Sequence, residues 1–289
     1  MALRLRGLGA RRRPHDHLPR REGAVRLVAT ADSKPPVQRD IFRLVADCRP
    51  DAVLFAGDAA YAGTSDIHRR HMLRAWRRDW GDLWDVVYAV AGNHDMDSPR
   101  GQELWRNVMP ARTPAPPYAA GMGFRLRLGP VVAVGLDTTT GTVDALQREW
   151  AQRALVRGDA PHRVAVYHEP AFPQGLHRGN SLDAVPEDRD LLWSAFESSG
   201  VNVVLNGHEH AYARSVIRRE APIHQVITGG AGGDLYTTPC PGYDVFRPEH
   251  HITVLDADPS IIHLRALGLS GELLDEAEIP SRTASEVTP

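Results

Sequence analysis

Side chains that can bind metals stand at five places in the chain, each directly after a short apolar run. The five segments are Ala31-Asp32-Ser33, Gly57-Asp58-Ala59-Ala60-Tyr61, Gly92-Asn93-His94-Asp95, Tyr167-His168-Glu169 and Asn206-Gly207-His208-Glu209-His210. Oxygen ligands suit hard cations, and imidazole suits iron, zinc and manganese. A single such segment is typical of a turn, but five in succession indicate a site for two metal ions that share one carboxylate. The candidate ligands are Asp32, Asp58, Tyr61, Asn93, His168, His208 and His210.

The apolar runs of the first half predict buried strands that alternate with helices. Strands are expected at residues 25–30, 52–56 and 86–91, and helices at 35–48 and 66–80. Near-continuous apolar strands separated by amphipathic helices are typical of a largely parallel sheet. Ligands of such sheets bind beyond the carboxyl ends of the strands, which is where the first three segments lie.

The second half predicts a hairpin about Gly129-Pro130, two more helices and a strand-rich end. The helices are expected at 144–156 and 187–199, and the strands at 163–167, 201–205, 212–218, 223–228, 251–256 and 261–267. His168 and His208 again follow predicted strands, whereas residues 172–186 have the polar, Gly- and Pro-containing composition of a loop. All five segments are therefore expected to meet at one edge of the fold.

Composition narrows the class of protein and its partners. A net charge of −2 and a pI of 6.7 favour neither nucleic acid nor membrane as a partner. The arginine-rich start lacks the apolar core of a signal peptide, which predicts a cytoplasmic location. Cys48 and Cys240 fit neither a zinc motif nor a disulfide framework. We expect a disordered basic tail at residues 1–23, a single catalytic domain at 24–279 and a disordered tail at 280–289.

The five segments resemble the calcineurin-like metallophosphoesterase superfamily, and within it the purple acid phosphatase branch. The superfamily pattern is Asp-x-His, Gly-Asp, Gly-Asn-His-Asp/Glu, His and Gly-His-x-His. Here Lys34 stands where the first motif usually has its histidine, and Tyr61 follows Asp58 by three positions, as the tyrosine ligand of the branch does. The missing ligand and its substitute occur together, which favours the branch. The resemblance extends from about Val25 to Gly233 and includes the glycine-rich segment 229–233.

The resemblance implies an α/β fold, a four-layer α/β/β/α sandwich of two mixed sheets flanked by helices. It also implies two metal ions with Asp58 as the bridge. One metal would be held by Asp32, Asp58, Tyr61 and His210, and the other by Asp58, Asn93, His168 and His208. The family places Fe(III) at the tyrosine site and Fe, Zn or Mn(II) at the other, which agrees with phenolate as a hard donor.

The activity implied by the resemblance is hydrolysis of a phosphate monoester, on a small phosphorylated metabolite, by a bimetal-activated hydroxide. Asp58 and His94 are the expected catalytic residues, with His94 binding phosphate or protonating the leaving group. His177 and Arg178 stand where plant-type members carry two adjacent histidines, so both are expected to face substrate. Arg178 could bind phosphate through two parallel hydrogen bonds. Lys34 is expected to be a surface ammonium, with a phosphate contact as the alternative.

Two alternatives remain open from the sequence. A phosphodiesterase or nucleotidase could use the same metal centre, because loop changes alter substrate choice on one fold. A binding scaffold without activity is the other, but such a protein should have gaps in its ligand set, and here every ligand position is filled. Lys34 also replaces a glycine usual in the first motif, and its bulk makes the iron assignment the weaker part of the ligand scheme. The sequence leaves the oligomeric state open.

Overall fold

The structure is a computed structural model that describes residues 20–59, 66–96, 98, 100–109, 122–156 and 160–282. Its elements in chain order are β1 (Val25–Thr30), α1 (Val37–Asp47), β2 (Ala52–Ala56), α2 (Asp66–Asp79), β3 (Val87–Val90), α3 (Gly101–Val108), β4 (Phe124–Leu128), β5 (Val131–Gly135), α4 (Ala145–Val156), β6 (His162–Val166), α5 (Pro186–Ser198), β7 (Val203–Asn206), β8 (Tyr212–Arg218), β9 (Pro222–Thr228), β10 (Val245–Arg247), β11 (His251–Ala257), β12 (Ile261–Gly268) and β13 (Leu273–Pro280). Short 3-10 helices occupy Gly81–Val86, Asn93–Met96 and Leu182–Ala184.

Two mixed sheets carry the fold. The first has the strand order β13-β12-β11-β1-β2-β3, with β1, β2 and β3 parallel and β11 to β13 antiparallel. The second has the order β10-β8-β9-β7-β6-β5-β4, with β5, β6, β7 and β9 parallel. Each sheet therefore has a run of parallel strands whose carboxyl ends lie at one edge.

Hydrophobic packing arranges these sheets in four layers. Side chains such as Leu27, Leu54 and Leu205 fill the space between the two sheets. Helices α1, α2 and α3 cover the outer face of the first sheet, and α4 and α5 cover that of the second. Strands covered on both faces need apolar residues at successive positions, and β2 and β5 are buried along their whole length. The predicted four-layer sandwich is confirmed.

The strands next to the motifs lie close to their predicted positions, while three elements were not predicted. The hairpin of β4 and β5 pairs Leu128 with Val131 around the expected turn. Helix α3 and strands β10 and β13 were not predicted. Strand β13 contains three carboxylates, at Asp275, Glu276 and Glu278, and such residues are rare in strands. Its pairing with β12 along the sheet edge overrides this local preference.

The structure also gives the state of the cysteines, the character of the helices and the extent of the last strand. Both cysteines are free, with Cys48 buried and Cys240 half-buried. Among the described residues, every helix is too short or too polar to span a bilayer. Strand β13 ends at Pro280, while residues 1–19 and 283–289 lie outside the described residues. The predicted domain limits and tails stay predictions.

Candidate functional site

The predicted ligands that the structure describes lie at the carboxyl ends of five strands. Strands β1, β2 and β3 lead to Asp32, Asp58 and Asn93, which we call the oxygen side. Strand β6 leads to His168, and β7 leads to His208 and His210, which together we call the imidazole side. Since the parallel strands of both sheets end at the same edge, the two sides face each other across the junction of the sheets.

The two carboxylates of the oxygen side are buried on strained backbone. Asp32 and Asp58 are 0% and 1% exposed and have φ angles of 60° and 57°. Such left-handed conformations cost a non-glycine residue roughly 1–3 kcal/mol, and they cluster at functional sites. The Asp32 carboxylate accepts the His208 N–H at 3.0 and 3.2 Å, and Asp58 Oδ1 accepts the His94 N–H at 3.0 Å. These contacts fix the direction of both carboxylates.

Each of the three imidazoles has one ring nitrogen next to a backbone carbonyl, which for His208 is Asn180 O, 3.4 Å from Nε2. A carbonyl only accepts hydrogen bonds, so His168 Nδ1 must donate to Ala56 O at 2.8 Å. This leaves His168 Nε2 facing Asp58 Oδ2 at 3.3 Å. In the same way His210 Nδ1 donates to Asp234 O at 2.9 Å, and its Nε2 lies 3.6 Å from Asp32 Oδ1. Such outer contacts are typical of metal-binding histidines.

Asn93 joins the two sides of the site. It begins the 3-10 helix Asn93–Met96 after β3. Its Oδ1 lies 3.1 Å from His168 Nε2 and 3.1 Å from His208 Nδ1. One amide oxygen and two ring nitrogens therefore converge next to Asp58.

Glycines that precede the ligands leave room for ligands of other segments. A Cβ on Gly92 would lie 2.1 Å from Asp58 Oδ1, and one on Gly57 would lie 2.5 Å from His168 Nδ1. A Cβ on Gly207 would lie 2.6 Å from Asp32 Oδ2. The motif glycines are thus needed for the close approach of the strands' ends, a role that sequence analysis did not assign.

Burial and mutual charge shift the titration of the site. Burial raises the pKa of Asp58, but His168 and the His94 N–H lower it to about 2. Burial lowers the pKa of His168, but Asp58 outweighs this and raises it well above its usual value. Burial, together with His168 and His177, lowers the pKa of His208 to about 2. Asp58 and His208 are thus in the anionic and neutral forms in which carboxylates and imidazoles bind metals, whereas the raised pKa of His168 favours its protonated form beside Asp58, so metal binding there would displace a proton.

Asp95 connects two segments of the oxygen side through its carboxylate, a role that sequence analysis missed. Its Oδ2 accepts the Gly92 N–H at 2.9 Å and the Ala59 N–H at 3.2 Å, so it ties the second segment to the third. Burial and the charge of Asp58 raise the pKa of Asp95 to about 7. The signal was its place at the end of the Gly92-Asn93-His94-Asp95 segment.

The donor set fits metal ions. Asp32, Asp58 and His168 each offer one ligand atom, and these atoms lie within 4.8 Å of one another with all three side chains buried. Two buried carboxylates repel each other unless cations compensate their charge. Asn93, His208 and His210 add an amide oxygen and two ring nitrogens around them. Tyr61, the remaining predicted ligand, lies outside the described residues.

Of the residues predicted to face substrate, His94 and His177 lie close to the metal ligands, whereas Arg178 is exposed to solvent. His94 is half-buried next to Asp58, and its carbonyl accepts a hydrogen bond from the buried Arg69. The His177 ring lies 3.9 Å from the His208 ring, so this residue reaches the site. Arg178 is exposed on the same loop. Lys34 pairs with Asp234 Oδ2 at 2.8 Å, and this exposed ion pair agrees with the surface role expected for Lys34.

Two further residues near the site were missed by sequence analysis. Glu209, 2% exposed between two ligands, accepts the N–H groups of Leu176 at 3.0 Å and His177 at 3.1 Å. Tyr236 stacks on His210, with ring centroids 4.5 Å apart. Glu209 was visible in the sequence only as the residue between two histidines, and Tyr236 only as a residue after a glycine-rich turn.

Comparison with known proteins agrees with the geometry. Residues 26–212 match the model of the calcineurin-like phosphoesterases. The chain is 25% identical over 235 residues to purple acid phosphatase 1 of Ipomoea batatas, which covers 68% of this chain and 48% of that protein. It is 25% identical over 239 residues to purple acid phosphatase 5 of Arabidopsis thaliana, covering 72% and 54%. The chain spans about half the length of the curated relatives it matches.

Solved structures share the fold. Purple acid phosphatase PPD1 from yellow lupin (Lupinus luteus) gives a TM-score of 0.71 at 16% identity, covering 91% of this chain and 55% of that chain. GAP50, the anchor in the inner membrane complex of Plasmodium, gives 0.63 at 12% identity, covering 91% and 90%. These identities show the fold alone. The sequence matches confirm the predicted superfamily and agree with the predicted branch.

Proposed function

Because the chain belongs to the calcineurin-like phosphoesterase family, we propose that it hydrolyses a phosphate monoester at a centre of two metal ions. The observation that carries the proposal is the buried convergence of Asp32, Asp58 and His168 within 4.8 Å. Packing alone gives no reason to bury two carboxylates and an imidazole at one sheet junction, since buried charges need compensation.

The ligand scheme groups the residues by their contacts. Asp32, Asp58, Tyr61 and His210 would hold the first metal, and the 3.6 Å approach of His210 to Asp32 supports this grouping. Asp58 would also bind the second metal, together with Asn93, His168 and His208. The 3.1 Å contacts of Asn93 Oδ1 to both imidazoles support that set. Fe(III) would suit the Tyr61 site, because phenolate is a hard donor, and Fe, Zn or Mn(II) would suit the other.

The metals, when bound, activate a water as the nucleophile and neutralise charge on the phosphate. Residues of this chain orient the reaction. The His94 N–H donates to Asp58, and the His94 carbonyl accepts a hydrogen bond from Arg69. These two contacts hold the backbone of His94 in place at the edge of the centre. From there His94 binds a phosphate oxygen or protonates the leaving oxygen. His177 lines the imidazole side of the substrate site, and Arg178 approaches the phosphate from the exposed loop.

The substrate is a small phosphorylated metabolite in the cytoplasm, in keeping with the near-neutral charge of the chain. Phosphodiester or nucleotide hydrolysis on the same centre is the second candidate, because the family includes phosphoesterases in general. A fold neighbour that serves as an anchor shows why fold alone does not settle activity. The donor set of this chain, complete among the described ligand positions, favours an enzyme.

A substrate panel tests the proposal. Metal-loaded protein is assayed with matched phosphate monoesters and diesters that share a leaving group, and faster monoester cleavage is expected. His94→Ala should lower kcat by ~10²–10⁴-fold, the usual contribution of a general acid or base. His71→Ala, on the exposed face of α2, is the control and should leave the rate unchanged. Unchanged activity in both His94→Ala and Asp58→Ala would refute the assigned site.

A visible spectrum tests the assignment to the branch. Iron-loaded protein should show a charge-transfer band from tyrosinate to Fe(III), and Tyr61→Phe should lose it. Metal analysis of the same samples should give two metals per chain. Two equivalents of manganese without the band would keep the metallophosphoesterase function but reject the iron-tyrosinate centre.

A further inference from the structure

The loop at residues 174–180 is attached to the metal-ligand segment through its backbone. The Glu209 carboxylate, between His208 and His210, accepts the Leu176 and His177 N–H groups at 3.0 and 3.1 Å. A Cβ on Gly175 would lie 2.1 Å from Glu209 Oε2, so the loop lies directly on this carboxylate. These contacts place the Cα of His177 but leave its ring free to rotate about two side-chain torsions.

A single hydroxyl fixes the His177 ring. Its Nε2 lies 2.9 Å from Tyr236 Oη, and the ring lies against His208 with the centroids 3.9 Å apart. A ring with one nitrogen bonded to a fixed hydroxyl has one orientation, and the other nitrogen, Nδ1, then has a defined direction. The direction in which His177 presents a polar atom to the site therefore depends on Tyr236.

Tyr236 is itself held by the metal-ligand segment. Its backbone N–H donates to His210 O at 3.0 Å, and its ring is stacked on His210 with centroids 4.5 Å apart and planes 19° apart. The same turn supplies Asp234 O, which accepts the His210 Nδ1 proton. One side chain thus contacts a predicted metal ligand with its face and the predicted substrate-facing histidine with its hydroxyl.

We propose that Tyr236 is a positioning residue that sets the orientation of the His177 imidazole relative to the metal centre, so that His177 meets the phosphoryl group with Nδ1. The proposal rests on the phosphatase function proposed above. Tyr236 contributes through its hydroxyl, while its ring packs against His210. Removing only the hydroxyl should therefore disturb His177 and leave the metal ligands in place.

The test is Tyr236→Phe, which keeps the ring on His210 and removes the contact to His177. A crystal structure of the metal-loaded variant should show the His177 ring rotated or in several conformers, with the ligand side chains unmoved. An unchanged ring orientation would overturn the proposal, whether or not the protein proves to be a phosphatase. This readout therefore separates failure of the positioning role from failure of the proposed function.

Kinetics give the second readout as a double-mutant cycle. Tyr236→Phe should lower kcat/KM by roughly 10-fold, as loss of an outer contact does at metal sites, with metal content unchanged. In the His177→Ala background it should have no further effect, because its partner is already gone. Equal losses in both backgrounds would show that Tyr236 acts independently of His177 and would reject the proposal.

Tyr243→Phe is the matched control. The Tyr243 hydroxyl accepts the Gln174 N–H at 2.8 Å, so it also bonds the loop, but through the backbone of Gln174. We expect a smaller loss of kcat/KM and an unrotated His177 ring. If Tyr243→Phe matches Tyr236→Phe in both readouts, general anchoring of the loop explains the effect and the specific role of Tyr236 is wrong.

Discussion

The oxygen side and the imidazole side of the site are built differently. On the oxygen side, both Asp32 and Asp58 need left-handed backbone, with φ near 60°. On the imidazole side, His208 alone among the three histidines has a positive φ, of 71°. Carboxylates are short, so the backbone itself must turn to aim them, whereas a longer imidazole can be aimed by a carbonyl that accepts its second nitrogen proton.

Contacts between the two sides are as close as those within them. His168 donates to Ala56 O on the other sheet, and the His208 N–H donates to Asp32. Gly57 and Gly207 allow these approaches, because a Cβ at either would overlap a ligand of the opposite side. Neither sheet supplies a complete metal site, so the centre depends on the packing of both.

The largest expected effect comes from removing Asp58, the residue proposed to bind both metals. Asp58→Ala should lose bound metal and lower kcat/KM by at least ~10²–10³-fold, the range seen when one group that stabilises the transition state is removed. Metal content by mass spectrometry and steady-state kinetics measure this. Asp40→Ala, an exposed carboxylate on α1, is the control. Normal metal content in Asp58→Ala would contradict its role as the bridge.

A smaller effect is expected from separating the two sides without removing a ligand. Gly57→Ala adds a Cβ that would lie 2.5 Å from His168 Nδ1, and we expect kcat to fall by ~10²-fold, as for misplaced catalytic groups. Gly141 also has a positive φ, of 76°, but nothing lies within 4 Å of its Cβ position. Gly141→Ala should therefore cost only stability, about 1–3 kcal/mol. Equal losses of activity in Gly57→Ala and Gly141→Ala would show that the effect comes from backbone strain and not from the close approach to His168.

A third, smaller effect is expected from weakening the attachment of the loop at residues 174–180 to the imidazole side. Glu209→Gln replaces a carboxylate that accepts Leu176 and His177 N–H groups, and charge-assisted bonds are the stronger kind. We expect KM to rise by roughly 5-fold, equivalent to about 1 kcal/mol, with little change in kcat. Glu197→Gln is the matched control, since Glu197 accepts the Glu220 and Ala221 N–H groups in another part of the fold. A KM that stays constant in Glu209→Gln would contradict the loop's role in binding.

The smallest effect on activity is expected from replacing His224. This residue pairs with Val203 near the amino-terminal ends of the parallel strands β7 and β9, away from the site. Burial, with Arg214 and Arg218 nearby, lowers the pKa of His224 to about 4. An unfolded histidine has a pKa of about 6.5, so the unfolded chain binds the proton first. The contribution of neutral His224 to stability is then full above about pH 6.5 and is lost as the pH falls towards 4.

Chemical denaturation at several pH values checks this. His224→Gln should reduce the loss of stability between about pH 6.5 and 4 without changing activity at neutral pH, while other buried histidines such as His251 still contribute to it. His71→Gln, at an exposed position, should leave the profile unchanged. A wild-type profile that is already flat over this interval would contradict the prediction.

The oxygen side could be predicted almost completely from the sequence. Asp32, Asp58 and Asn93 follow apolar strands at short distances, and neighbouring parallel strands bring their carboxyl ends to one edge of the sheet. The place of Glu209 beneath the 174–180 loop and the contact of Tyr236 with His177 depend on how distant loops pack. Neither hydrophobic periodicity nor local propensity predicts contacts between distant loops. Sequence analysis therefore found His177 only through resemblance and missed Glu209 and Tyr236, which contact it.

We propose that ligands from both sides form one centre of two metals that hydrolyses a phosphate monoester. The most direct test is to titrate the metal-free protein with metal while following hydrolysis of a phosphate monoester. Activity is expected to rise to a plateau at two equivalents of metal per chain, and Asp58→Ala should show no such rise. A plateau at one equivalent, or full activity in the metal-free protein, would contradict it.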